Sequence, residues 1–146
     1  MKVMVSACLL GENCKYSGGN NRSEQLLSIL AGHEVIPVCP EVLGGLPVPR
    51  IPAEIADGLV INREGISVDA EFRRGAAAAL DIARFKEVDL IVLQPRSPSC
   101  GLGMIYDGTF SGKLIPGNGI FAAMAADADF RVVNADDLTE KGTLEE

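Results

Sequence analysis

Apolar residues occur along this chain in two arrangements, short unbroken runs and stretches with helical spacing. The short runs predict four β-strands, at residues 3–6, 34–38, 89–93 and 130–133. Apolar residues spaced three or four apart predict three helices, at residues 23–30, from Ser67 or Asp69 as the N-cap to about residue 86, and at 118–126. Strands that alternate with helices in this way are typical of an α/β fold.

The predicted sheet is mostly parallel and lies between two layers of helices. Parallel strands need crossover connections, which the predicted helices supply. We therefore predict a Rossmann-like, three-layer α/β sandwich with its site at the carboxyl ends of the strands. The length of 146 residues predicts a single domain over residues 1–146, with an acidic tail from about residue 136 that is a short helix or frayed. Residues 40–65 are rich in proline and glycine and are predicted to form an irregular excursion.

The charge balance narrows the choice of partners. The chain carries 13 basic and 20 acidic residues, a net charge of −7, and no tryptophan. Long nucleic acids bind to basic faces or aromatic stacking platforms, so we expect no bulk nucleic-acid partner. No apolar run reaches the roughly 18 residues of a membrane-spanning helix, and the first residues do not resemble a secretion signal. We therefore expect a cytoplasmic protein that binds no membrane, while the sequence leaves its oligomeric state open.

The four cysteines supply the first candidate chemistry. Cys8, Cys39 and Cys100 each follow a predicted strand or its exit loop, so a parallel sheet would bring these thiols to one edge. In a reducing compartment, converging thiols favour a metal or an iron–sulfur cluster over disulfides. The alternative is that each cysteine is a small buried apolar residue. Cys14 could be a fourth ligand, a thiol beside the ligands or a packed bystander.

Several common motifs are absent from the sequence. It has no GxxxxGK[ST] or GxGxxG phosphate loop and no two cysteines separated by two residues. A phosphatase loop would need an arginine where Cys14 stands. The single histidine, His33, precedes a strand and is not placed for a catalytic triad. The chemistry is therefore expected in the loops around the cysteines.

Three of these loops carry a specific resemblance. They read SACLLGENCKYSGG from residue 6, PVCPEVLGGLPVPR from residue 37 and SPSCGLGMIYDGTFSGKLIPGNG from residue 97. Together they resemble the domain-of-unknown-function 523 family, whose members include the thiouracil desulfidases. The resemblance spans residue 3 to about residue 133 and implies an α/β fold with a [4Fe-4S] cluster on Cys8, Cys39 and Cys100. It favours Cys14 as a non-ligand.

The resemblance also implies a reaction, the non-redox removal of sulfur from a thiolated uracil base or nucleotide with release of sulfide. Glu41 and Ser97 match the family positions expected to assist. An open iron would polarise the C=S bond, Glu41 would act as general base on water, and the Ser97 hydroxyl would relay a proton or orient the water. The structural alternatives are a helix cap or arginine partner for Glu41 and a turn residue for Ser97.

The remaining predicted site residues would hold the substrate. Arg50 is a candidate anion clamp, or else part of an ion pair. Tyr106, Asp107, Thr109 and Phe110 offer rings and hydrogen-bonding groups, although Asp107-Gly108 is also typical of a hairpin turn. Two other function classes would keep the cysteines without this reaction. They are a non-catalytic cluster- or metal-binding module for sulfur handling or sensing, and a zinc- or cysteine-dependent hydrolase.

Overall fold

The computed structural model describes residues 1–144, in which strands and helices alternate. The strands are β1 Lys2–Ser6, β2 Glu34–Val38, β3 Ala53–Ala56, β4 Leu59–Asn62, β5 Leu90–Leu93, β6 Met104–Tyr106, β7 Leu114–Pro116 and β8 Val132–Asn134. The helices are α1 Glu24–Leu30, α2 Pro40–Leu43, α3 Asp69–Lys86, α4 Ile120–Asp127 and α5 Ala135–Lys141. One 3₁₀ turn, Ala7–Leu10, follows β1 directly.

Four of the strands form the central sheet. β1 lies between β2 and β5, β8 pairs with the other side of β5, and all three pairings are parallel. The register sets Val5 opposite Pro37 on one side and Val92 on the other. The carboxyl ends of β1, β2 and β5 therefore meet at one edge, which confirms the predicted parallel sheet. No helix in the described part of the chain is long and apolar enough to cross a membrane.

Helices cover both faces of the sheet because alternate residues of each strand point to opposite sides. Met4 and Ile91 pack with Ala79 of α3 and Phe121 of α4 on one face. Val3 packs on the other face, in the cluster that α1 and α5 complete. Burying a large apolar side chain such as Met4, Ile91 or Phe121 contributes about 1.5–3 kcal/mol relative to leaving it exposed. The result is the predicted three-layer α/β sandwich.

Helix α3 begins without the side-chain cap that the sequence predicts. Val68 occupies the N-cap position and makes no side-chain cap bond, so the prediction of Ser67 or Asp69 as the N-cap was wrong. The Ser67 hydroxyl accepts only a long bond of 3.4 Å from Asp69 N. The Asp69 carboxylate instead accepts from Val60 N at 3.0 Å and Arg73 Nε at 2.7 Å. Asp69 therefore ties the start of α3 to β4.

Residues 40–65 are more regular than predicted. The prediction of an irregular excursion was wrong, because this stretch holds α2 and an antiparallel hairpin of β3 and β4. Asp57 and Gly58 join the two strands with φ angles of 50° and 79°. Asp-Gly with positive φ at both positions is a preferred two-residue hairpin turn, so the signal was present in the sequence.

Two glycines let α2 pack directly against α3. A Cβ atom on Gly75 would lie 1.7 Å from the carbonyl oxygen of Pro40, and a Cβ atom on Gly44 would lie 2.0 Å from that of Glu71. A larger side chain at either position would force the two helices apart. Because α2 carries Glu41 in its first turn, this contact fixes the position of that carboxylate.

A second hairpin, formed by β6 and β7, stands beside β3. Glu54 of β3 accepts hydrogen bonds from Gly108 N at 3.0 Å and Phe110 N at 3.1 Å. These bonds attach the hairpin loop, residues 107–113, to the neighbouring hairpin. The two hairpins together extend beyond the edge of the central sheet.

The last elements begin slightly later than predicted. The predicted helix at 118–126 starts at Ile120, and the predicted strand at 130–133 starts at Val132. The acidic tail from about residue 136 forms α5, and Leu144 beyond it is buried. Residues 145 and 146, the end of this tail, lie outside the described residues. The single domain over residues 1–146 stays a prediction.

Candidate active site

Three of the four thiols stand at the carboxyl edge of the sheet. Cys8 lies in the 3₁₀ turn after β1, Cys39 directly follows β2, and Cys100 lies in the loop after β5. All three line one cavity of about 490 Å³, together with Cys14. All four cysteines are free of disulfides. The loops therefore bring together thiols that are far apart in the sequence.

Burial controls the protonation of these thiols. It raises the pKa of Cys8 and raises the pKa of Cys100 to about 12. Burial, with the neighbouring Cys39 and Cys8, also raises the pKa of Cys14 to about 12. A hydrogen bond of 3.8 Å from Asn21 Nδ2 to Cys8 Sγ partly offsets the effect at Cys8. Because thiols bind metals as thiolates, binding at this edge must release protons.

The raised pKa values predict how the cluster-free protein responds to alkaline pH. The folded Cys100 thiol, with its pKa of about 12, stays protonated while the same thiol in the unfolded chain ionises above about pH 8.5. The unfolded state then binds fewer protons, so stability is lost as the pH rises. We expect the unfolding temperature to fall between about pH 8 and about pH 10, and to fall less in Cys100→Ala. Circular dichroism measures both, and equal falls would contradict the prediction.

The donor set fits an iron–sulfur cluster. Thiolates are the usual ligands of [4Fe-4S] clusters, and no histidine lines this cavity in the described part of the chain. Within residues 1–144, no three Cys, His, Asp or Glu side chains are grouped closely enough to hold a single metal ion. A zinc ion needs its sulfur ligands about 2.3 Å away around a single point, whereas a [4Fe-4S] cluster takes its cysteine ligands on separate iron atoms.

Cys14 borders the three thiols from the loop that follows the 3₁₀ turn. Its carbonyl oxygen accepts from Arg50 Nη2 at 2.9 Å and from Cys39 Sγ at 3.8 Å. Its side chain is half-buried and interacts with that of Cys39. These contacts place Cys14 beside a predicted ligand, and its own role stays a prediction.

Glu41 is held from two sides at the cavity wall. Arg50 Nε donates to Oε1 at 2.9 Å, and Ser99 Oγ donates to Oε2 at 2.7 Å. The Arg50 and Glu41 side chains are only 7% and 14% exposed. Charge-assisted hydrogen bonds are strong in such surroundings, and breaking a buried ion pair costs about 3–5 kcal/mol. The carboxylate therefore has one fixed orientation in the cavity.

Arg50 is the partner of this carboxylate. Besides Nε, its Nη1 donates to Pro47 O at 3.2 Å and its Nη2 to Cys14 O. Its backbone N–H also donates to Tyr16 O at 2.7 Å, which joins the loop of Cys14 to the segment after α2. The structure shows the ion pair of the alternative interpretation, and the anion clamp stays a prediction.

The SPSC segment contributes two hydroxyl groups. Ser97 lines the cavity, and its Oγ accepts from Cys100 N at 2.7 Å, so it is also the turn residue of the alternative interpretation. Ser99 is 2% exposed and lies between Glu41 and Ser97, with its Oγ 3.4 Å from Ser97 Oγ and 3.7 Å from Cys100 Sγ. Sequence reasoning missed Ser99, because the motif contains two serines and only the fold shows which one contacts Glu41.

The rim of the cavity includes only part of the predicted substrate-binding set. Tyr106 and Phe110 line it, whereas Asp107 and Thr109 are not among its lining residues. Thr109 N and Oγ1 donate to Asp107 Oδ1 at 2.9 and 2.6 Å, and these bonds lower the pKa of Asp107. Asp107 and Thr109 therefore bond to each other within the hairpin turn, and their predicted contacts with a substrate stay a prediction. Lining residues that sequence reasoning missed are Lys15, Tyr16, Glu54, Arg63, Gln94 and Arg96.

The fold and the cavity together define a class, an α/β protein whose thiol-lined site also presents a fixed carboxylate and two hydroxyls. Within this class the chain belongs to the 2-thiouracil desulfurase family, whose model matches residues 3–137. The match confirms the family resemblance that the three cysteine loops carry.

Two known proteins are similar over nearly their whole length. A Bacillus subtilis (strain 168) protein, described as uncharacterized protein YbbK, is 36% identical over 148 residues, which cover 94% of this chain and 98% of that protein. The solved structure of the [4Fe-4S]-dependent thiouracil desulfidase TudS (DUF523Vcz) has 40% sequence identity and a TM-score of 0.88. The match covers 95% of this chain and 93% of that chain. This likeness confirms the α/β fold.

Proposed function

We propose that this chain removes sulfur from a thiolated uracil without net redox change, using a [4Fe-4S] cluster held by Cys8, Cys39 and Cys100. The observation that carries the proposal is the single cavity that these three thiols share with Glu41 and Ser97. Membership of the 2-thiouracil desulfurase family and the likeness to TudS support it. The net reaction replaces a C=S group by C=O, consumes one molecule of water and releases one molecule of hydrogen sulfide.

The number of cysteine ligands determines which coordination position of the cofactor would be open to a substrate. When bound, a [4Fe-4S] cluster with three cysteine ligands supplies one open iron, a soft Lewis acid suited to thiocarbonyl sulfur. Cys14 is proposed as a neighbour of the ligands, since a fourth thiolate would close that position. The chain's own residues then supply the acid–base chemistry.

Glu41 is the proposed general base. Arg50 and Ser99 occupy one acceptor site on each carboxylate oxygen, and a carboxylate has about four such sites. Each oxygen therefore keeps a site that can take a proton from water. Ser97 is the proposed proton donor, because its oxygen accepts from Cys100 N while its own hydroxyl proton stays available. A positioned acid or base of this kind accelerates a reaction by about 10²–10⁴-fold.

The rim supports a thiolated pyrimidine as the substrate. Tyr106 and Phe110 offer aromatic surfaces, and the Arg63 guanidinium lies 5.7 Å from the centre of the Phe110 ring. Lys15 and Arg96 add positive charge to the same cavity. A phosphate attached to the base would meet these cations, so nucleotides belong in the substrate panel beside the free base.

The test starts with anaerobic reconstitution of the protein with iron and sulfide. We expect about four irons per chain, as in a [4Fe-4S] cluster, with a brown visible absorption. Incubation with 2-thiouracil, 4-thiouracil or thiouridine monophosphate should then give sulfide and the oxygenated product in equal amounts, with no added reductant.

Two outcomes would replace the proposal. A brown protein that releases no sulfide from any of these compounds would be a cluster-binding module for sulfur handling or sensing. A colourless protein that takes up zinc but not iron would favour the zinc- or cysteine-dependent hydrolase. The matched control for both is the same protein carried through reconstitution without added iron.

A further inference from the structure

Ser99 and Ser6, each 2% exposed, are the most deeply buried polar residues among the described residues that line the cavity, and the proposed reaction assigns Ser99 no chemical step. Its exposure is 2%, although its neighbours Ser97 and Pro98 are partly exposed. Its Oγ has three polar neighbours, Oε2 of Glu41 at 2.7 Å, Oγ of Ser97 at 3.4 Å and Sγ of Cys100 at 3.7 Å. A buried hydroxyl with this set of neighbours connects the carboxylate to the cavity-lining serine.

The backbone around Ser99 leaves its hydroxyl little freedom. Its carbonyl oxygen accepts from Phe121 N at 2.9 Å and Ala122 N at 3.1 Å, in the first turn of α4. A Cβ atom on Gly119 would lie 2.6 Å from the Ser99 carbonyl carbon, so the start of α4 packs directly on this residue. Ser99 is therefore anchored to a helix, and the hydroxyl has a fixed position relative to Glu41.

The proton count gives the hydrogen bonds a direction. Ser99 has one hydroxyl proton, and the carboxylate at 2.7 Å is its best acceptor. The Ser99 oxygen can then accept a hydrogen bond from the Ser97 hydroxyl. The Ser97 oxygen already accepts a hydrogen bond from Cys100 N at 2.7 Å. The ordered chain runs from Ser97 through Ser99 to Glu41.

We propose that Ser99 is a positioning residue, which orients the Glu41 carboxylate and connects it to Ser97. The inference rests on the proposed function of the site. Once Glu41 holds a proton from the attacking water, it becomes the donor to Ser99 Oγ, and both serine hydroxyls reverse their hydrogen bonds. The proton then passes to Ser99 Oγ, whose own proton passes to Ser97 Oγ. Ser97 gives its original proton to the departing sulfur or the pyrimidine ring, so both serines end as they began. The water oxygen stays on the ring carbon, the second water proton leaves with the sulfide when the C=O bond forms, and no electrons are gained or lost.

The test compares Ser99→Ala, Ser97→Ala and the double variant with the reconstituted wild-type protein. Ser99→Ala should lower kcat by about 10–100-fold, the scale expected for a misplaced catalytic group. KM and the uracil dissociation constant should stay within about twofold of wild type, because Ser99 is only 2% exposed and offers a bound pyrimidine little contact. Iron content should be unchanged. The double variant should be no slower than the slower single variant, since both lie on one path.

Two further measurements separate positioning from a merely structural role. Ser99→Thr keeps the hydroxyl and should recover most of the kcat lost in Ser99→Ala. A crystal structure of Ser99→Ala should show the Glu41 carboxylate turned from its wild-type orientation while its bond to Arg50 remains. Ser28→Ala, an exposed serine of α1, is the matched control and should behave as wild type.

The inference is overturned by an unchanged kcat, by losses that multiply in the double variant, or by loss of iron in Ser99→Ala. An unmoved Glu41 carboxylate in the crystal structure would also overturn it. Failure of the proposed function has a different signature, because the wild-type protein would then release no sulfide. In that event the crystal structure alone decides whether Ser99 orients Glu41.

Discussion

Alanine in place of Cys8, Cys39 or Cys100 is expected to leave the reconstituted protein colourless and nearly free of iron. Each thiolate is one of the three ligands of the proposed cluster. Among the described residues that line the cavity, Cys14 is the only other cysteine that could replace it. The fold should survive, because the substitution removes one sulfur atom from each side chain and so takes little volume from the core. Iron and sulfide content per chain and the visible spectrum measure the loss, with thermal unfolding of the cluster-free variants as the folding control.

Cys14→Ala is the matched control in this series. Cys14 lines the same cavity and interacts with Cys39, but its carbonyl, not its thiol, makes the contacts that join it to Arg50. We expect this variant to keep most of its iron and its brown colour. Iron content close to that of the wild type in all four variants would discard the ligand assignment. Loss of iron in Cys14→Ala to the same extent as in the others would indicate a closed four-thiolate site with no position for substrate.

Glu41→Gln is expected to keep the cluster and lose turnover. Glutamine has nearly the same size and can still accept a hydrogen bond from Ser99, but its amide cannot take a proton from water. Removal of a general base lowers kcat by about 10²–10⁴-fold, so turnover should approach the background rate. The measurement is sulfide release under anaerobic conditions, normalised to iron content.

Glu12→Gln provides the control for this second variant. Glu12 is an exposed carboxylate in the loop between Cys8 and Cys14, so its replacement makes the same chemical change near the site. We expect wild-type turnover from it. Sulfide release by Glu41→Gln at a rate close to that of Glu12→Gln would remove Glu41 as the base. Loss of iron in Glu41→Gln would instead indicate that the ion pair with Arg50 maintains the thiol loops.

The central sheet could be predicted from the sequence because its signals are local. A continuous apolar run such as Leu90–Leu93 forms a strand buried on both faces wherever the chain places it. The alternation of strands and helices then determines the parallel topology and brings the residues that follow β1, β2 and β5 to one edge. The errors at residues 40–65 came from treating proline and glycine only as breakers, although Asp57-Gly58 carries a specific turn signal.

The details of the site depend on contacts between segments that are far apart in the sequence. A local sequence pattern does not predict such contacts. From the sequence, Arg50 could bind an anion or pair with a carboxylate. Its hydrogen bond to Glu41 forms because the segment after α2 returns to that residue. Asp107 and Ser99 are similar cases. The Asp107 side chain accepts a hydrogen bond from Thr109 of its own loop, whereas the start of α4 packs on the backbone of Ser99. Side-chain direction in such loops is set by packing that forms only in the complete fold.

The close approach of α2 to α3 gives the two walls of the cavity unequal freedom to change. One methyl group added to Gly44 or Gly75 would collide with a carbonyl oxygen and shift the helix that carries Glu41. The hairpin loop, residues 107–113, lines the cavity through Phe110 and Gly112, and its residues 109 and 111–113 are exposed, whereas Gly108 packs closely against β3. Mutations in that loop can therefore change the substrate preference, in evolution or in a directed library. The position of Glu41, which the packing of Gly44 and Gly75 fixes, then stays the same.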